Sequence, residues 1–219
     1  MDTLSAWVER QHAHAARQML RSISPLGIVK TRPGFAQVIR PVRGAVVASP
    51  VPASYDPDPD YFFHWYRDSA IVMDALRLLH PPAPSGEAPR LFGEFVRFSA
   101  GLSRLDGREL AAASGEWRPR VAADFTQYLR PDEELQRVHG DAVAAETRVN
   151  PDGTLDISRW ARPQHDGPAL RALTVLRWAR VTSPDPDLRH TCAQLLHADL
   201  RFTRDHWREP CYDIWEEER

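Results

Sequence analysis

The chain has 219 residues, 42% of them hydrophobic and 26% charged, which argues against a disordered chain and suits one domain or a piece of a larger one. With 28 Lys plus Arg against 30 Asp plus Glu, the net charge is −2, so no nucleic acid and no membrane surface is expected as a partner. The apolar stretches are too short to span a bilayer. Met1 to Glu9 lack a basic segment followed by an apolar run, so no secretory signal is read there. Cys192 and Cys211 are therefore expected to be reduced, and the expected location is cytoplasmic.

Leu4 to about Ile23 predicts an amphipathic helix, with Leu4, Trp7, Val8, Ala15, Met19 and Ile23 on one stripe. The Pro- and Gly-rich stretch from Pro25 to Asp60 predicts irregular loop with short extended pieces at Gln37–Ile39 and Ala45–Val47. A second helix is expected from about Ser69 to Leu79, closed by a turn carrying Pro81, Pro82, Pro84, Gly86 and Pro89. A third runs from about Arg90 to Ser103, with Leu91, Phe92, Phe95, Val96 and Phe98 in register. Asp106 to Asp166 has no sustained periodicity. A fourth helix opens at Gly167-Pro168, with Pro in its first turn, and extends to about Val181. A fifth spans about Asp187 to Trp207, with Leu188, Cys192, Leu195, Leu196 and Phe202 inward. Five helices, long loops and almost no strand predict an all-α fold, and alternating short and long connections suggest a ring of α-hairpins. Loops this long point to function at the loop–helix junctions.

Three junctions carry candidate chemistry. In Asp60-Tyr61-Phe62-Phe63-His64-Trp65-Tyr66-Arg67-Asp68, aromatic faces suit the C–H patches of a sugar, and Arg67 beside Asp68 pairs a donor fork with an acceptor. Taken alone, the segment reads equally as an aromatic core cluster with Asp68 capping the second helix. Trp160 to Arg171 gathers Arg162, His165, Asp166 and Arg171 around a helix start, which by itself also fits capping and surface charge. Tyr212-Asp213-Ile214-Trp215-Glu216-Glu217 sets adjacent carboxylates beside a Trp; alone, it could be a solvated acidic tail. In sugar chemistry, a carboxylic acid against an apolar wall keeps its proton long enough to donate it to a glycosidic oxygen. His12 with His14, and His190 with His197, lack the geometry or the carboxylate of a metal set. No Gly-rich phosphate loop, Cys-x-x-Cys or nucleophile elbow is present.

Together, and in this order, the three segments resemble glycoside hydrolase family fifteen, the glucoamylases. That family shows an Asp-Tyr-Phe-x-x-Trp-x-Arg-Asp-Ser run, then Trp-x-Arg-Pro-Gln-x-Asp-Gly-Pro-Ala-Leu-Arg, then Tyr-Asp-hydrophobic-Trp-Glu-Glu. Here these are residues 60–69, 160–171 and 212–217, and Val46-Val47-Ala48-Ser49-Pro50 resembles the lead-in to the first.

The resemblance implies an incomplete α/α toroid, the six-hairpin glycosidase barrel, of which residues 1–219 would be the N-terminal part, carrying about five helices of one catalytic domain. It implies that Glu216 is the general acid and that Glu217 binds a hydroxyl on the leaving-group side. Arg67 and Asp68 would hold hydroxyls of the terminal glucose, and Tyr61, Trp65 and Trp160 would shape the pocket around it. Asp213 and Trp215 would support the acid. The implied reaction releases glucose from non-reducing ends of α-1,4-linked glucans by inversion, with an α-glucan or maltooligosaccharide as substrate and no metal or organic cofactor. An inverting enzyme also needs a base roughly 6.5–9.5 Å from the acid. The resemblance puts that base in a later C-terminal part of the barrel, and no residue here is assigned to it. An inactive or merely carbohydrate-binding fragment, or a related α-glucosidase or trehalase specificity, stays open on sequence grounds.

Overall fold

The computed structural model describes residues 3–51, 53, 60–79 and 86–217. Helix α1 (Leu4–Leu20) begins where the Thr3 side chain accepts the Ala6 N–H at 3.3 Å, satisfying one of the donors that a helix start leaves free. The predicted helix forms, but its stripe buries only at its end. Leu4, Trp7 and Val8 are exposed, whereas Met19 and Leu20 pack on the core and Ile23, just past the helix, lies in it. Periodicity gave the helix correctly but the burial of its N-terminal half incorrectly, since Leu4, Trp7 and Val8 stay exposed.

Two short antiparallel ladders follow. Strands β1 (Lys30–Arg32) and β2 (Gln37–Ile39) pair across a tight turn. Strand β3 (His64–Trp65) pairs with the distant β4 (Arg148–Val149), setting Trp65 opposite Arg148. The backbone N–H of Tyr66 extends the contact by donating to the Thr147 carbonyl at 3.2 Å. The first candidate segment is thereby fixed by backbone bonds to residues 147–149 of the aperiodic middle stretch.

Helix α2 (Tyr66–Leu79) starts earlier than expected, so Arg67 and Asp68 lie in its first turn and Asp68 is not its cap. Helix α3 is Glu87–Leu102; the turn predicted at Pro81, Pro82 and Pro84 lies outside the described residues. Three short helices break up the aperiodic stretch: α4 (Gly107–Ala112), α5 (Ser114–Trp117) and α6 (Asp132–Leu135). Helix α7 (Asp166–Ala179) and helix α8 (Pro186–His206) close the described fold, the latter capped by Asp185, whose side chain accepts the Leu188 N–H at 2.8 Å. Cys192 and Cys211 are unpaired. Among the described residues no helix is long and apolar enough to cross a membrane.

Helices α2, α3, α7 and α8 enclose the main core, built from Met73, Leu76, Phe92, Phe95, Val96, Val175 and Trp178. The Phe92 and Trp178 rings stack at 4.6 Å and 7°. Burying side chains of this size contributes about 1.5–3 kcal/mol each. The Trp178 N–H is satisfied by the Met73 carbonyl at 2.9 Å, and the Thr174 hydroxyl by the Ala70 carbonyl at 3.0 Å, so α7 is bolted to α2 as well as packed on it.

The aperiodic stretch from residue 130 to 162 is held differently. Glu146 accepts from both Arg130 (2.8 Å) and Arg162 (2.9 Å), and Asp156 from both Arg148 (2.8 Å) and Arg162 (2.9 Å). All five side chains are nearly fully buried. Each charge has a partner and a hydrogen bond, as burial in low dielectric demands. Paired charges leave no apolar period in a sequence, which is why this region looked featureless.

Candidate active site

Glu216 reaches the site through an unusual backbone. Its φ is +66°, a left-handed conformation that non-glycine residues seldom adopt, and its N–H closes a turn onto the Asp213 carbonyl at 3.0 Å. The Tyr212 N–H donates to the Pro163 carbonyl at 3.0 Å, fastening this last segment to the 160–164 segment. The turn sends the Glu216 side chain inward and leaves Trp215 77% exposed.

Both oxygens of Glu216 are held by side chains from the two other motifs. Oε1 accepts the Trp65 indole N–H at 3.0 Å and the Gln164 amide at 2.8 Å, and Oε2 accepts the Trp160 indole N–H at 2.5 Å. Arg67 Nη2 stands 3.6 Å from Oε1. Arg67 also donates through Nη1 to Gln164 (2.9 Å) and Asp166 (3.2 Å), and its Nε lies 3.4 Å from Asp68 Oδ2. The first turns of α2 and α7 thus share one arginine.

Asp68 Oδ2 is shut off from solvent without a hydrogen bond, although the side chain as a whole is 39% exposed. Burial pushes the Asp68 carboxyl above its ordinary range; the nearby Glu216 charge adds to the rise and Arg67 opposes it. Tyr61 leans on Trp65 at 5.7 Å and is largely open to solvent. Trp65 and Trp160 meet edge to face at 5.7 Å; Trp65 is buried, and Trp160 keeps part of its surface open to solvent.

Of the residues predicted from sequence, Trp65, Arg67, Asp68, Trp160 and Glu216 converge. Asp213 and Glu217 are exposed, and their part in the turn is a bond from the Glu217 N–H to Asp213 Oδ1 at 3.2 Å. Trp215, expected to support the acid, does not pack against it: the turn at Glu216 directs it outward, and the indoles at the carboxylate are those of Trp65 and Trp160, which meet it through their N–H groups. A cleft of about 510 Å³ between α3 and the start of α8, lined by Arg90, Phe92, Arg97 and Asp185, contains none of these residues.

The sequence profile of Glycosyl hydrolases family 15 matches residues 30–93 and 143–219, more than half of the chain and all three segments that meet at Glu216. The chain belongs to glycosyl hydrolase family 15. Among its relatives, a probable glucoamylase of Schizosaccharomyces pombe is 28% identical over 98% of this chain and 40% of its own length. Glucoamylase S1 of Saccharomyces cerevisiae is 27% identical over 98% of this chain and 24% of its own. The glucoamylase structure from Hormoconis resinae superposes with a TM-score of 0.65 at 23% identity, covering 98% of this chain and 31% of that one. That of Saccharomycopsis fibuligera gives 0.64 at 22% identity, covering 99% and 40%. The fold is therefore that of these glucoamylases, the expected α/α toroid in part, since the chain spans 24–40% of the length of these four proteins.

Two residues of this family-15 site were not assigned roles from sequence. Gln164 is buried and links Arg67 to Glu216, and Asp166 opens α7 while holding Arg67. Both belong to the second motif, and that was the only signal available for them. His165 turns away from this group and faces Phe202 and His206 at 5.5 and 5.7 Å.

Proposed function

We propose that residues 1–219 form the N-terminal part of a glucoamylase-type catalytic domain, whose whole protein releases glucose from non-reducing ends of α-1,4-linked glucans by single-step inversion. The observation that carries the reading is the grip on Glu216: both oxygens are bonded by indole and amide donors from two other motifs, beside Arg67. As a general acid gives its proton to the glycosidic oxygen, negative charge grows on its carboxylate. Donors already aimed at both oxygens stabilise that charge without reorganising. Arg67 and the exposed part of Asp68 would hold hydroxyls of the terminal glucose against Trp65, Trp160 and Tyr61, with Glu217 toward the leaving group. Asp213 would support the acid through the turn. The names of the relatives support an α-glucan substrate.

The test has two parts. Maltose titrated to millimolar concentration should change the tryptophan fluorescence of the purified chain, because the partly exposed Trp160 stands beside Glu216; no change would sink the reading. Glucose release from maltose by the whole protein should fall by roughly 10²–10⁴ in Glu216→Gln, the usual contribution of a general acid. Sugar binding with undiminished hydrolysis in that variant would remove Glu216 from the role of acid.

A further inference from the structure

We propose that Arg148 is a positioning residue whose buried guanidinium, packed against the Trp160 and Trp65 rings, sets the two indole N–H groups that grip the two oxygens of Glu216. Its Cζ lies 3.7 Å from the Trp160 ring centroid, 4.9 Å from that of Trp65 and 4.0 Å from that of Phe63. The side chain is fully buried, so no water competes for the cation. A guanidinium near aromatic faces in such a setting is held by the rings' electron-rich surfaces, and it polarises them so that an indole N–H donates more strongly.

The cation is itself fixed. Arg148 Nε donates to Asp156 Oδ2 at 2.8 Å and Nη2 to the Ser158 hydroxyl at 3.0 Å. Asp156 is in turn held by Arg162 (2.9 Å) and by the Ser158 N–H (2.8 Å). The ladder of β3 and β4 brings Arg148 directly opposite Trp65. Arg148 therefore joins the 148–158 ion-pair network to both indoles at once, and through them to Oε1 and Oε2. Among the described residues Arg148 is the cation seen over these two indoles, while Arg67, the other arginine of the site, bonds Gln164 and Asp166 and faces Glu216 directly.

The inference rests on the glucoamylase reading only for its sugar-binding consequence, so the test includes measurements that need no sugar. Trp65 and Trp160, edge to face at 5.7 Å, are close enough to couple as chromophores and should give an exciton couplet in circular dichroism. In Arg148→Met the indoles lose their fixed face, and the couplet should shrink while helix content is kept. Maltose binding, followed by fluorescence, should weaken by roughly tenfold. Arg148→Lys keeps the charge near Asp156 without the flat fork, and should fall between wild type and Arg148→Met in both readouts. In the unmodified protein, the Arg148 guanidinium proton resonances should be shifted upfield by the ring current of Trp160, a measurement that depends on no variant. A role confined to stability would lower the unfolding midpoint and leave couplet and affinity unchanged. That result, or unshifted Arg148 resonances, overturns the proposal. If the wild-type chain binds no maltose, the glucoamylase reading falls, while the couplet and the resonances still judge Arg148.

Discussion

Arg171 on α7 and Asp199 on α8 form a two-pronged pair, with Nε to Oδ2 at 2.8 Å and Nη2 to Oδ1 at 2.7 Å, both side chains buried. The guanidinium also lies 4.9 Å from the Tyr66 ring, so the pair ties α7, α8 and the start of α2 together. Asp199→Ala leaves a buried cation without its partner and should cost about 3–5 kcal/mol in urea unfolding. The double variant Arg171→Met, Asp199→Leu should recover much of that loss. If Asp199→Ala alone costs under about 1 kcal/mol, the pair does not hold these helices.

Gly167 makes the contact between α7 and α2 possible. A Cβ there would lie 2.6 Å from the Tyr66 Cβ and 3.4 Å from the Arg67 amide nitrogen. Gly167→Ala should therefore push the helix starts apart, destabilise by about 1–3 kcal/mol, and move Arg67 off Gln164 and Asp166. The checks are an unfolding curve and the sugar titration, and both should worsen together. Unchanged sugar binding in a destabilised variant would separate the helix contact from the site.

Asp68 is held where its charge is disfavoured. Because its folded carboxyl titrates above the ordinary range, stability falls as pH rises through that folded value. Asp68→Asn should consequently make the fold slightly more stable at neutral pH, by less than about 1 kcal/mol given its remaining contact with water. The same change should weaken maltose binding. Stability gained at the cost of binding is the mark of a residue kept for its site.

His64 works in the opposite direction. It is fully buried, accepts the Val46 N–H through Nδ1 at 3.0 Å, and is held down to about 3 by burial and by the charge of Arg171. A base with a depressed folded value contributes stability that is complete above its unfolded value of 6.5 and is lost as pH falls from there towards 3. The slope in that window should approach about 1.4 kcal/mol per pH unit for one proton. His165, also lowered by burial, adds in the same direction. The buried Asp156, lowered by Arg148 and Arg162 against its desolvation, loses its contribution only below the ordinary carboxylate range. Thermal midpoints of wild type and His64→Gln between pH 7 and 4 provide the check, and the variant should show the shallower slope.

The sequence by itself determined the helices, the family and the spelling of the site. Apolar periods mark α2, α3, α7 and α8, because a helix must turn one stripe to the core, and Trp65, Arg67, Asp68, Trp160 and Glu216 sit in motifs long enough to be read without neighbours. Only the tertiary structure decided which faces are buried and which side chains meet. The α1 stripe looked like the others but is exposed over its first turns, at Leu4, Trp7 and Val8, and Asp199, polar in sequence, faces inward because Arg171 neutralises it. Trp215 was expected to support Glu216 and Trp65 to shape the sugar pocket, but a left-handed turn sends Trp215 outward and the β3–β4 ladder sets the Trp65 N–H on the carboxylate. Arg148 had no sequence signal at all. A buried ion pair and a ring face leave no period along a chain, since both depend on atoms that meet only after folding.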